Sequence, residues 1–414
     1  MASLAAGISY ANVAIGLPLL VLADGRTAFF ASSLIALNTI SIALGALIAL
    51  VLRRTERAVT VGLSLIAIGE VALALPPSNA TTPAAAMIQG VGHGLFWVGV
   101  QAALGRRSGR RGSERAFVSQ YSMYVAGTIA GAVVTGLGVA AFRAVGVDRS
   151  TSISLTFLFG AAAVLAALPS VRNWLRDSTT AVSARPRLAI TAGFALQTPD
   201  LFLVGAMGML VSLAPVVMSE AFLLSPLVIG FVAAFISLSK IAGAFVAGLI
   251  AAAKGAPLTV GIMLTASAAS SALLVGAHQA LLYIVLTIVA VFFGIGAWPI
   301  IVDGALARIQ PRDRAKVTIA WNIREYTAIA LTTVLGGYLL DAFTRPAFLL
   351  VLAAALLGCA GISASIVLRA PTHPPAEPRD AVLDSALSEI GSTRVHRIAR
   401  ALHLVGPARP QPDR

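Results

Sequence analysis

The stretch GRRSGRRGSERAFVSQYSMYVAGTIAGAVVTGLG, residues 105–138, joins a basic run to a long apolar segment. Arg106, Arg107, Arg110, Arg111 and Arg115 stand there against the single acid Glu114, a charge set that does not cross a bilayer cheaply. The apolar segment carries Gly127, Gly131, Gly136 and Gly138, and glycines spaced in this way let two helix backbones touch in lipid. The pattern predicts a cytoplasmic loop over 105–115 that opens into a membrane helix over 116–142. Later in the chain Arg115-Ala116 is echoed by Arg314-Ala315, and Thr135-Gly136 by Gly336-Gly337. The chain reads as two copies of one membrane unit.

Composition sets the class. Of 414 residues 58% are hydrophobic and 11% charged, with a mean hydropathy of +0.89, values outside the range of soluble domains. A net charge of +13 would point to nucleic acid in a soluble chain, but here the basic residues fall between apolar segments, where they set orientation. Nucleic acid is therefore not an expected partner. The single Cys359 excludes an intrachain disulfide. Residues 1–22 lack the basic leader of a secretion signal and read as a first span.

A span needs roughly 20 apolar residues at about 1.5 Å each. Twelve stretches qualify, near 4–22, 28–52, 59–75, 84–104, 116–142, 151–169, 199–221, 227–251, 258–277, 281–306, 317–340 and 346–368. The expected fold is thus an all-α polytopic membrane protein, with 12 transmembrane helices in two pseudo-symmetric six-helix bundles. The domain boundaries read as a first bundle over 1–171, a cytoplasmic linker over 172–190, a second bundle over 191–369 and a tail over 370–414. Loops on the side of Arg53, Arg106 and Arg176 hold most of the basic residues, and the opposite loops only Arg26, Arg143, Arg149 and Arg345. This asymmetry predicts both termini in the cytoplasm of a plasma (inner) membrane protein. In the tail, Leu383, Leu387, Ile390, Ile398 and Leu402 follow helical spacing behind a Pro-rich start, an amphipathic pattern suited to a membrane surface.

Twelve spans, two halves, a central linker and recurring loop motifs together resemble the major facilitator superfamily of secondary transporters, over about residues 1–369. The family's loop motif Gly-x-x-x-Asp-Arg-x-Gly-Arg falls on Ala49, Arg53, Arg54, Glu56 and Arg57, so that Arg54 and Arg57 match and the acid is missing. Its second copy falls on Gly248, Ala252, Ala253, Lys254 and Gly255, again without the acid. The antiporter branch carries Gly-x-x-x-Gly-Pro-x-x-Gly-Gly in span 5, and this chain has Gly127, Gly131, Ala132, Thr135 and Gly136. By resemblance this favours the twelve-helix drug/proton antiporters. The family's proton-linked Arg falls on Ala86, so any coupled proton is carried by another group.

Ionisable residues inside spans are costly and mark substrate or proton routes. Lys240 sits near the middle of span 8, about 16–20 Å from either surface, where it could meet an anionic substrate or snorkel into an aqueous gate. Arg324 and Glu325 lie in span 11 about 100° apart around the helix, with Glu325 a proton carrier or part of a structural network. His93, between Gly92 and Gly94, titrates near neutrality when solvated. Glu70 lies in span 3, peripheral in the family, and ranks below His93. Asp303, near the end of span 10, steadies that end or a loop arginine. Expected cavity residues are Tyr10, Asn12, Asn38, Trp97, Gln101, Tyr121, Tyr124, Met209, Trp298, Trp321 and Asn322, with a bend in span 10 at Trp298-Pro299. Gly336 and Gly337, like the glycines of span 5, suit packing or gating.

No metal-binding or cofactor motif is present, and no constellation for an enzyme, including paired aspartates in facing spans, is legible. The expected function is proton-coupled export of small amphipathic or hydrophobic molecules by alternating access, through a monomer in the lipid bilayer. The alternatives are proton-coupled import of a small organic anion, and a facilitator or lipid mover.

Overall fold

The computed structural model describes residues 1–51, 55–107, 109–176, 193–309, 314–343 and 346–369. Every regular element among them is helical, as lipid requires, because a helix satisfies its own backbone groups where no water can. The first half comprises α1 (Ala2–Ala23), α2 (Ala28–Val51), α3 (Thr55–Leu73), α4 (Thr81–Arg107), α5 (Gly109–Ala144) and α6 (Arg149–Arg176). The second comprises α7 (Phe194–Ser212), α8 (Ala214–Glu220), α9 (Pro226–Lys254), α10 (Ala256–Leu273), α11 (Ala280–Leu306), α12 (Arg314–Ala342) and α13 (Ala347–Arg369). α7 and α8 form one interrupted span, which makes six spans in each half. Among the described residues nine spans are long and apolar enough to cross a membrane by composition alone. The other three, α3, α4 and α12, carry Glu70, His93 with Gln89, and Arg324-Glu325.

The two halves repeat one packing plan. α1 packs on α5 and α6, α3 on α4 and α6, and α2 on α4. Six spans later α7 packs on α12 and α13, α10 on α11 and α13, and α9 on α11. Small residues make these approaches possible. A Cβ on Gly127 of α5 would collide with the Leu4 carbonyl oxygen of α1, and one on Gly131 would run into the Ile8 carbonyl.

Short polar turns start the helices where α1 gives way to α2. Gly25 takes the left-handed conformation (φ 75°), and Thr27 Oγ1 accepts from the Phe30 N–H at 3.2 Å. Ser78 Oγ accepts from the Thr81 N–H at 2.9 Å to start α4, and Asp148 accepts from Thr151 N–H at 3.0 Å to start α6. The Thr151 hydroxyl and then its N–H hold the exposed Asp148 carboxyl below the usual carboxylate range.

One expectation changes. The basic stretch predicted as a loop is helical on both sides of Ser108, because α4 extends to Arg107 and α5 starts at Gly109. α11 runs unbroken through Pro299, where a bend was expected. An interruption lies at Leu213, where Pro215 lacks the N–H that would bond to Val211 and its ring crowds that carbonyl. Finally, Arg54, most of the linker over 177–192 and the amphipathic tail pattern lie outside the described residues, while Arg57 is exposed on α3.

Candidate functional site

The halves meet through two symmetry-related helix pairs, α2 with α12 and α5 with α9. Among the described residues, the glycine contacts in these pairs lie at the end where α1 gives way to α2. Gly337 of α12 sits on Ser32 and the Ala28 carbonyl of α2, and Gly136 of α5 sits on Pro226 and Leu227 of α9. Gly230 of α9 packs in turn on Ala132 and Gly136. At the same end the Phe29 N–H donates to Asp341 Oδ2 at 3.0 Å, and Arg149 donates to Ser219 Oγ at 3.2 Å. Gly336 faces its own half, against Leu213 and Leu349.

A cavity of about 270 Å³ lies between the halves on the far side of this closure. On α5 its wall runs from Tyr121 to Ala132, one turn short of the Gly136 contact, and on α9 from Ala233 to Lys240. Tyr121, at the far edge, is 44% exposed. The cavity is therefore sealed at one end and leads toward the other, the end that carries the N-terminus and the last turn of α13. The broken span contributes Ser212, Ala214, Pro215 and Met218 to its wall, so the interruption at Leu213 borders the cavity.

Its lining is aromatic with two basic groups. Trp97 and Tyr124 meet edge to face at 4.7 Å between centroids, Tyr10 lies 6.0 Å from Tyr124, and His93 meets Tyr10 at 5.9 Å. From the second half come Lys240 and Tyr326. No carboxylate stands at ion-pair distance from Lys240 among the described residues. An ammonium in the wall of a cavity that aromatic rings also line, with no counter-ion among the described residues, is suited to a ligand carrying negative charge.

Behind this wall α7, α11 and α12 bring two carboxyl groups together. Asp200, fully buried, accepts from Trp321 Nε1 at 2.5 Å, and Gln197 Nε2 lies 3.5 Å from the same oxygen. Glu325 accepts from Trp298 Nε1 at 3.2 Å and lies within hydrogen-bonding reach of Asp200. Gln197 also donates to the Trp321 carbonyl at 2.9 Å, which ties α7 to α12. Two carboxyl groups that close share a proton more readily than they both ionise. Tyr326, next to Glu325 in sequence, is the side chain of this region that reaches the cavity. Arg324 turns away, over the Phe194 ring at 5.5 Å.

The remaining predicted residues have other neighbours. Asn12 donates to the Thr156 carbonyl at 3.2 Å and accepts from Thr135 Oγ1 at 2.6 Å, which ties α1 to α5 and α6. Asn38 donates to the Ala86 carbonyl at 2.8 Å and to Gln89 Oε1 at 2.6 Å, which ties α2 to α4. Gln101, Asn322 and Met209 are outside the cavity wall, and Met209 is fully buried. Asp303 is exposed.

Sequence reasoning missed Asp200, Gln197 and Tyr326. Span 7 was predicted to begin near 199, which leaves Asp200 at its very start. α7 begins at Phe194, which moves Asp200 into the packed interior, and the spacing of Gln197 and Asp200 on one face was the available signal. The paired carboxyls absent from the sequence reading are an Asp and a Glu in spans seven and eleven.

Residues 201–406 match the profile of the Major Facilitator Superfamily. No curated protein matches the sequence. Among solved structures, the chain is similar to an auto-inhibited POT family peptide transporter, with a TM-score of 0.67 at 13% identity over 91% of this chain and 97% of that one. It is similar to a bacterial homologue of the iron transporter ferroportin in an inward-facing state, with a TM-score of 0.66 at 10% identity over 89% and 97%. A bacterial homologue of the human lysosomal transporter Spinster, inward-facing and occupied, gives 0.64 at 12% identity over 95% and 96%. Two bundles of six spans that repeat one packing plan around a cavity give this chain the fold of the major facilitator superfamily.

Proposed function

We propose that this protein is a secondary transporter that carries a small amphipathic molecule by alternating access, in exchange for protons, and so acts as an exporter. The observation that carries the reading is the cavity itself, closed by glycine contacts at one end and leading to the other, with ionisable groups in and beside its wall. The charge asymmetry favours cytoplasmic termini and with them a cytoplasmic open end, which supports an inward-facing reading of this conformation. Substrate binds between Lys240 and the aromatic group of Tyr10, Trp97, Tyr124 and Tyr326. Lys240 selects for compounds with an anionic or zwitterionic group. The Asp200–Glu325 pair takes up and releases the driving proton, and Tyr326 joins it to the cavity. In this reading the halves, 1–171 and 191–369, move as bodies about the cavity, and a monomer suffices.

Proton movement in proteoliposomes tests this, with an internal pH dye and a panel of organic anions, zwitterions, amphipathic cations and sugars. Proton flux opposite to substrate flux is expected. The uncompensated Lys240 also supports a second reading, import of an organic anion in symport with protons, and co-directional fluxes would establish it over export. Silence across the panel with folded protein would contradict both.

A further inference from the structure

Glu70 stands apart from both features just described. It lies in α3, is fully buried, and neither carboxyl oxygen has a hydrogen-bond partner among the described residues. The carboxyl rests on Gly160 of α6, where a Cβ would run into both oxygens. Ser9 of α1 is the neighbouring hydroxyl. No charged group of α1, α4 or α6 acts on it among the described residues. An ionised carboxylate enclosed without donor or cation would cost several kcal/mol. A neutral carboxyl, with a proton to give, fits the enclosure.

Ser9 is also the hub of a polar chain. Gln89 Nε2 donates to Ser9 Oγ at 3.3 Å, and Ser9 Oγ lies 3.4 Å from His93 Nε2. Asn38 fixes the orientation of Gln89 from α2. His93 Nδ1 has no partner, and its ring is in the cavity wall against Tyr10. The polar group that faces Glu70 is therefore Ser9 from α1, and Gln89 and His93 of α4 are joined to it through Ser9.

We propose that Glu70 is a second proton-binding site, held in the first half and connected to the cavity through Ser9 and His93. A small rotation of the Glu70 carboxyl brings it within hydrogen-bond distance of its neighbour Ser9, and it passes its proton to Ser9 Oγ as Ser9 passes its own to His93 Nε2. The imidazolium then releases the Nδ1 proton to water or substrate in the cavity. Ser9 ends neutral and Glu70 ionised, so one proton has moved and no other reactant is needed. A serine hydroxyl, one donor with two acceptor sites, can serve both neighbours by rotation. The proposal rests on proton coupling only for its role in transport; the protonation of Glu70 stands separately.

Infrared spectroscopy of the purified protein in lipid tests it without a substrate. At neutral pH a protonated-carboxyl stretch is expected that disappears in Glu70→Gln and persists in Glu325→Gln. A Glu70→Gln spectrum identical to that of the parent overturns the proposal whether or not the protein transports protons. Gly160→Ala, which presses a methyl group on the carboxyl, should shift the same band, and an unmoved band contradicts the placement. Ser9→Ala should slow deuterium exchange into that band, and unchanged exchange overturns the route through Ser9. In proteoliposomes, Glu70→Gln should lower the proton-to-substrate ratio from two to one while substrate-driven flux persists. An unaltered ratio overturns its role in coupling.

Discussion

Each half of the molecule buries carboxyl groups in its apolar interior, and the two halves surround them differently. In the second half Asp200 and Glu325 receive hydrogen bonds from two indoles, with Gln197 close by. In the first half Glu70 receives none and is cradled by a glycine. Donors aimed at a carboxyl favour its ionised form, and an enclosure without donors favours its neutral form. The same packing plan thus holds one donor-lined carboxyl pair that shares a proton and one carboxyl enclosed without donors, on either side of an aromatic cavity with its own ammonium.

The largest expected effect is at the donor-rich site. Glu325→Gln keeps shape and hydrogen bonding but removes the exchangeable proton, so proton-driven flux should fall by about 5–150-fold, the usual size of a coupling free energy. Substrate exchange at equal pH should survive. Undiminished proton-driven flux would remove Glu325 as the coupling group.

Lys240→Ala should weaken binding of anionic compounds by roughly 10–150-fold, as for loss of a charged hydrogen bond worth about 1.5–3 kcal/mol. Binding of neutral analogues should be unchanged. Calorimetric titration in detergent checks this, and equal losses for both classes would assign Lys240 to structure.

The seal between the halves comes next. Gly337→Leu places a side chain on Ser32 and the Ala28 carbonyl, an overpacking that costs about 1–3 kcal/mol. The conformation closed at this end should lose population, read as faster labelling of a cysteine placed at Ser32. Unchanged labelling would show that the contact does not hold the seal.

The smallest effect is expected from Trp298→Phe, which removes one donor to Glu325 and keeps the ring. A loss of about 1 kcal/mol in thermal stability is expected. No loss at all would mean that the indole bond contributes nothing to the difference between the two carboxyl sites.

The legibility of the fold and that of the site differ for physical reasons. Span number and pairing follow from hydrophobic length and glycine spacing, both local properties, so twelve spans and close helix contacts at Gly127, Gly131 and Gly136 could be read directly. Lys240, His93, Trp97 and Tyr124 were legible as polar or aromatic groups in apolar surroundings, and they converge on one cavity. Asp200 was not, because its depth depended on where α7 begins, and Gly193, the residue before that helix, supplies no capping side chain. Glu70 was visible but undervalued, since nothing in the sequence places Gly160 beneath it. Asn12, Asn38 and Trp321 illustrate the converse, since polar atoms expected to face a ligand satisfy one another across helix contacts.

Alternating access is the central claim, and the distance between the two halves at the sealed end tests it most directly. Spin labels at Val145→Cys and Leu281→Cys, in a chain with Cys359→Ser, report that distance by pulsed electron resonance in lipid. The account predicts a short distance in the resting protein and a second, longer one whose share changes with pH and with bound substrate. A single distance, unmoved by pH and by every compound that binds, would contradict it.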